Sequence, residues 1–234
     1  MMSQNFDSLF KHNIERHHYQ KNKAASLSPL QIMIWPTFSG LSDFEKQFAD
    51  RLAEQGYAVT AIDLYGHGQN PQDFPDKRAK MGALLADAES LHALQQELTQ
   101  QARQGDSAVV HIGFCLGGRL ALEAGLHFTE TLGAASFHGV MSFYRAQSPE
   151  QANQKVKLMI MNGYQDPLVS DEDAQSAKQY WSSLGIDFQF FDFGNTVHSF
   201  MLPSANNPDQ SSLYNPLVAQ RGFSYLMNFL AELH

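Results

Sequence analysis

Short apolar runs alternate with longer amphipathic stretches along the chain. The runs at 30–35, 57–62, 108–112, 134–138, 156–161 and 187–193 are rich in β-branched, aliphatic or aromatic residues and are bounded by Gly, Pro, Asp or Asn. That pattern predicts strands, and the nearly continuous apolar ones predict strands buried on both faces. A further edge strand is expected within 14–20. Helical spacing predicts helices over 42–55, 77–104, 116–127, 171–184 and 216–233. The first of these opens with Ser42 followed by Glu45, a capping box, and stops at Gly56. Residues 66–76, 139–149 and 203–213 read as loops, and 1–13 as an ordered appendage or a frayed tail.

Strand and helix alternate with no repeat, linker or low-complexity tract. The expected class is therefore α/β, a mostly parallel sheet with helices on both faces, forming one domain over 1–234. Composition supports a sizeable core: 43% of the 234 residues are hydrophobic and 17% charged. The net charge of −8 argues against a nucleic-acid partner. A single cysteine, Cys115, excludes an intrachain disulfide and fits a reducing compartment. The polar start of the chain predicts no secretory signal, and no apolar run is long enough for a membrane span. A cytoplasmic protein, monomer or weak homodimer, acting on a small molecule is expected. Arg16-His17-His18 reads as a solvated basic edge, since neighbouring histidines on a strand face opposite ways and share no metal.

The candidate chemistry centres on Gly113-Phe114-Cys115-Leu116-Gly117-Gly118. A buried strand, a glycine-bracketed turn and a helix start make the Gly-x-nucleophile-x-Gly elbow, with cysteine in the place of serine. Small neighbours on either side of the nucleophile relieve a strained turn. The helix N-terminus directs its dipole at the sulfur, a field that favours thiolate. A lone cysteine as core filler is the alternative for this stretch alone.

Two more strand ends carry apt residues, Asp166 after 156–161 and His198 after 187–193. In open α/β sheets ligands gather at the carboxyl ends of strands. The order nucleophile, acid, base suits a triad in which Cys115 attacks a carbonyl, His198 handles the proton and Asp166 steadies the imidazole. Two N–H donors should hold the oxyanion: that of Leu116, and one after 30–35, either Thr37 or, next in line, Phe38. Pro36 has no N–H to give. His111 reads as a satisfied core histidine, and His67, His92, His127 and His138 have no comparable placement.

These motifs, with Asp63-Leu64-Tyr65-Gly66, Gly163-Tyr164-Gln165-Asp166-Pro167 and His198-Ser199-Phe200, resemble the dienelactone hydrolase family over 30–233. The resemblance implies an α/β-hydrolase fold, a Cys115-Asp166-His198 triad, no cofactor or metal, and carboxymethylenebutenolidase-like hydrolysis; the leading expectation is a cysteine-dependent hydrolase of ester, lactone or thioester bonds. Family members that open dienelactone carry a glutamate after the first core strand, where Pro36 stands here, and arginines that hold the substrate carboxylate. Met201-Leu202 supplies no arginine, and Arg78 is the one remaining match. Together with Phe38, Phe143, Tyr144 and Phe200, this predicts a substrate less dependent on a carboxylate. A catalytically idle α/β-hydrolase-fold protein binding a small ligand or partner is the second reading, and acyl transfer to an acceptor other than water a third.

Overall fold

A computed structural model describes residues 14–21, 29–103, 105, 107–143, 145 and 148–233; the expected appendage over 1–13 and Tyr144 lie outside them. In chain order the elements are β1 (Tyr19–Lys21), β2 (Leu30–Trp35), α1 (Asp43–Glu54), β3 (Ala58–Ala61), α2 (Phe74–Ala86), α3 (Ala88–Ala102) and β4 (Ala108–Phe114). There follow α4 (Leu116–His127), β5 (Thr131–Phe137), β6 (Lys157–Gly163), α5 (Asp171–Ser183), β7 (Asp187–Phe193), β8 (Asn206–Asn207), β9 (Ser212–Leu213) and α6 (Pro216–Ala231). Seven strands form one sheet in the order β1-β3-β2-β4-β5-β6-β7. β1 pairs antiparallel to β3, and every other neighbour is parallel.

Period-two alternation on the central strands feeds opposite faces of the sheet. On β2, Ile32 and Ile34 join Phe48 and Leu52 of α1 and Leu226 and Phe229 of α6. Met33 and Trp35 turn the other way, onto Leu94 and Leu98 of α3 and Leu116 and Leu120 of α4. A third cluster gathers Leu122, Leu126, Leu158 and Ile160 around Trp181 of α5. Truncating a fully buried aliphatic side chain such as Ile34 to Ala would cost about 2–5 kcal/mol.

Four expectations are corrected. The long helix over 77–104 is two helices that meet at Asp87, whose carboxylate accepts from the Ser90 N–H at 3.0 Å and caps α3. α2 starts earlier than expected, with Asp73 as cap and a proline in its first turn. The polar stretch 203–213 contains the β8–β9 hairpin. The basic edge is not simply solvated. Arg16 donates to the carbonyls of Asp63 (3.2 Å) and Leu64 (2.6 Å), and His18 Nδ1 accepts from the Asp63 N–H at 3.0 Å. These bonds strap 14–18 beside the exit of β3, and only 19–21 joins the ladder. Among the described residues no helix is long and apolar enough to cross a membrane.

Parallel register sets the functional edge. Phe114 of β4 pairs with Phe137 of β5, Phe137 with Met161 of β6, and Gly163 of β6 with Phe193 of β7. The chain therefore leaves β4, β6 and β7 along one side of the sheet, just before Cys115, Asp166 and His198.

Candidate active site

Cys115 is the N-cap of α4 and has φ 56° and ψ −115°. Positive φ costs a side-chain-bearing residue about 1–2 kcal/mol, so the surrounding packing must enforce it. The glycines on either side do so by close approach. A Cβ on Gly113 would stand 1.8 Å from the Gly117 carbonyl oxygen, and one on Gly117 would stand 2.2 Å from that of Trp35. Strand, turn and helix can touch only where both positions lack side chains. The Cys115 N–H is held at 3.1 Å by the Phe137 carbonyl, and the thiol remains half-buried rather than sealed in the core.

Asp166 and His198 are brought together by stitched loops. The Tyr164 N–H donates to the Phe193 carbonyl at 3.0 Å and the Gln165 N–H to that of Thr196 at 2.9 Å. His198 is clasped by the hairpin that the sequence pattern did not reveal: its N–H donates to Ser211 O (3.0 Å) and its carbonyl accepts from Leu213 N–H (3.1 Å). Across the gap His198 Nδ1 and Asp166 Oδ2 lie 2.7 Å apart, both side chains almost fully buried. The other carboxylate oxygen of Asp166 accepts from the Leu168 N–H at 2.9 Å.

Burial alone would suppress the charge on His198. The negative charge of Cys115, hydrogen bonds to Asp166 and to Cys115, and the Asp166 charge outweigh it and push the imidazole up to about 10. His138, to which the sequence assigned no role, stands with its ring edge-to-face against His198, centroids 5.1 Å apart. It is fully buried, and burial together with the adjacent His198 charge holds it well below the ordinary histidine value. The His138 ring, held toward its neutral form, thus packs directly against the His198 ring.

On the oxyanion side, Leu116 is the first residue of α4, so its N–H lies outside the helical ladder. Thr37 must be corrected. Its N–H donates to Glu45 Oε1 at 3.2 Å and is not free for a substrate. The next N–H, that of Phe38, has no partner among the described residues, while the Phe38 carbonyl accepts from Tyr65 Oη at 3.1 Å. Tyr65 is fully buried, and desolvation, reinforced by the Cys115 charge, raises its phenol well above the usual range. In the sequence it stood out only as part of Asp63-Leu64-Tyr65-Gly66.

The remaining expected contacts separate. Phe38 is half-buried, with Phe74 edge-on at 6.0 Å and the Lys77 ammonium 5.7 Å from its ring centre. Arg78 is exposed on α2, and the cation beside Phe38 is Lys77. Phe143 is core: it stacks on Trp181 at 5.5 Å in the cluster under α5. Phe200 is also core, fully buried against His138 (5.2 Å) and Phe193 (5.6 Å), one ring removed from His198. His111 sits inside the sheet, where Nδ1 accepts from Trp35 Nε1–H at 2.9 Å and burial pulls it down to about 3. It is a neutral core residue.

Comparison with known proteins agrees with this architecture. A protein of Aquifex aeolicus (strain VF5) that carries the provisional name carboxymethylenebutenolidase is 27% identical over 201 residues, 83% of either chain. The crystal structure of a dienelactone hydrolase-like promiscuous phosphotriesterase from metagenomic libraries superposes with a TM-score of 0.80. The identity is 24%, covering 94% of this chain and 98% of that one. Esterase PE8 superposes at 0.62 with 19% identity, covering 94% and 100%. These likenesses establish an α/β-hydrolase fold, and the relatives are hydrolases. The model of the dienelactone hydrolase family matches residues 17–234, and the chain belongs to that family of hydrolases.

Proposed function

We propose that the protein is a cysteine-dependent hydrolase of ester, lactone or thioester bonds, with Cys115, His198 and Asp166 as its triad. The observation that carries this reading is the 2.7 Å bond between Asp166 and His198 on the same sheet edge as the Cys115 elbow. In acylation the sulfur forms a bond to the carbonyl carbon as the π pair moves onto oxygen. The N–H groups of Leu116 and Phe38 hold that oxyanion. Collapse expels the alcoholate, which takes the His198 proton. The resulting thioester is neutral, so the Cys115 charge that raised His198 has gone and the imidazole now serves as a base. It accepts a proton from water as the oxygen attacks, and the departing thiolate restores the resting pair. One acyl group and one water are consumed per cycle.

The ring wall of Phe38 and Phe74 suits an apolar group on the substrate, and the Lys77 ammonium is engaged with the Phe38 ring. We read the substrate as a neutral ester or lactone whose turnover needs no carboxylate. A reduced thiolate fits the cytoplasm, and the chain is read as one domain, monomer or weak homodimer. Turnover of para-nitrophenyl acetate, a butyryl thioester and a simple γ-lactone tests the reading. Cys115→Ala should lower the rate at least about 10³-fold, and iodoacetamide should abolish it. Undiminished turnover in Cys115→Ala would remove the cysteine from the mechanism.

A further inference from the structure

One buried acid near the site has no part in the steps above. Glu45 lies in the first turn of α1 and is 1% exposed. Burial raises its carboxyl above the ordinary range, while hydrogen bonds from Ser42 and Thr37 oppose that shift. A capping box explains only half of its contacts. One oxygen takes the Ser42 N–H (2.9 Å) and the Ser42 hydroxyl; the other takes the Thr37 N–H (3.2 Å). The carboxylate thereby grips both ends of the loop 37–42.

Other groups of that loop are also committed. Gly40 N–H donates to Thr37 O (3.0 Å), Ser39 N–H to Thr37 Oγ1 (3.2 Å), Asn70 Nδ2 to Leu41 O (2.8 Å) and Tyr65 Oη to Phe38 O (3.1 Å). Among the described residues the bracing leaves over the N–H groups of Phe38 and Leu41, and Phe38 is the one nearer the end of β2, where the Trp35 and Pro36 carbonyls lie against Gly117 of α4. We propose that Glu45 is the positioning residue of the oxyanion hole: by occupying Thr37 it fixes the peptide geometry that offers Phe38 to the substrate oxygen. This rests on the cysteine-hydrolase reading and extends it to a residue that touches no reacting atom. A carboxylate is required because every group facing it is a donor, and an amide would turn its own NH2 toward one of them.

Glu45→Gln tests the assignment in the full chain. An oxyanion-hole donor typically contributes about 10²–10³ in kcat, so displacing one should lower kcat on para-nitrophenyl acetate at least about tenfold with KM little changed. Affinity for trifluoromethyl octyl ketone, whose carbonyl carbon captures the sulfur and leaves an oxyanion, should fall by a similar factor. Alkylation of Cys115 by iodoacetamide develops no oxyanion and should keep its wild-type rate. If Glu45→Gln does not fold by circular dichroism, Glu45→Asp is measured in the same way, since its shorter reach releases Thr37. Wild-type kcat and ketone affinity in the folded variant would overturn the proposal, as would alkylation falling in step with kcat. Full turnover by Cys115→Ala sinks the hydrolase reading itself; an inactive Cys115→Ala beside a fully active Glu45→Gln sinks the Glu45 assignment alone.

Discussion

Gly117→Ala is the most searching single-atom perturbation of this fold. The added Cβ would stand 2.2 Å from the Trp35 carbonyl oxygen and 2.5 Å from that of Pro36. Both obstacles are backbone, so no rotamer change relieves the clash, and an ordinary contact requires α4 and the end of β2 to separate by about 1 Å. That separation lies between the two proposed oxyanion donors, Leu116 on α4 and Phe38 after β2. Overpacking of this kind costs about 1–3 kcal/mol, a fall of about 2–12 °C in Tm for a chain of this size. Misplacement by about 1 Å costs about 10²-fold in rate, so activity should suffer far beyond the loss of stability. Gly82→Ala is the control, because its Cβ would meet nothing within 4 Å and it sits in α2. It should gain about 0.5–1 kcal/mol and keep full activity. Thermal melts and kcat on para-nitrophenyl acetate read both. A Gly117→Ala protein with wild-type kcat and Tm would refute the coupling of elbow and oxyanion loop.

The raised His198 value predicts a pH signature. His198 raised to about 10 beside Cys115 predicts that His198→Ala slows alkylation of Cys115 by iodoacetamide at neutral pH; equal rates in the two proteins would break the pairing. In folding terms, a value raised from 6.5 to about 10 adds stability that is fully present below pH 6.5 and lost as pH rises through 10, which melts of wild type and His198→Gln across that window would read. Lys77→Ala should leave kcat/KM for neutral esters within about twofold; a selective tenfold rise in KM for carboxylate-bearing lactones would instead assign Lys77 to a substrate anion.

The elbow was legible because residue type reports its demands: Gly113 is dictated by contact with the turn of α4 itself and Gly117 by the backbone at the end of β2. Asp166 and His198 were legible through topology, since parallel strands leave their loops on one edge. Hydrophobic periodicity could not show that Asp87 divides one apparent helix into two, because the apolar phase runs through the break. It also could not assign Thr37, whose N–H is claimed by a carboxylate eight residues on. The capping-box pattern signalled that Glu45 turns back toward Ser42, but not that its second oxygen reaches the loop before it. Phe143 and Phe200 looked like substrate contacts only because aromatic residues near motif positions read alike whether they face the core or the site. His138 carried no signal beyond its place at the end of a strand, and its meaning lies in the ring it packs against.

The central claim is that Cys115 becomes acylated during turnover. Rapid mixing with para-nitrophenyl acetate, acid quenching within the first turnover and mass analysis of the proteolysed chain measure this directly. The account predicts a burst of para-nitrophenolate equal to the enzyme concentration and one acetyl group on the peptide containing Cys115. Turnover with no adduct on that peptide, or with an adduct on another side chain, would contradict it.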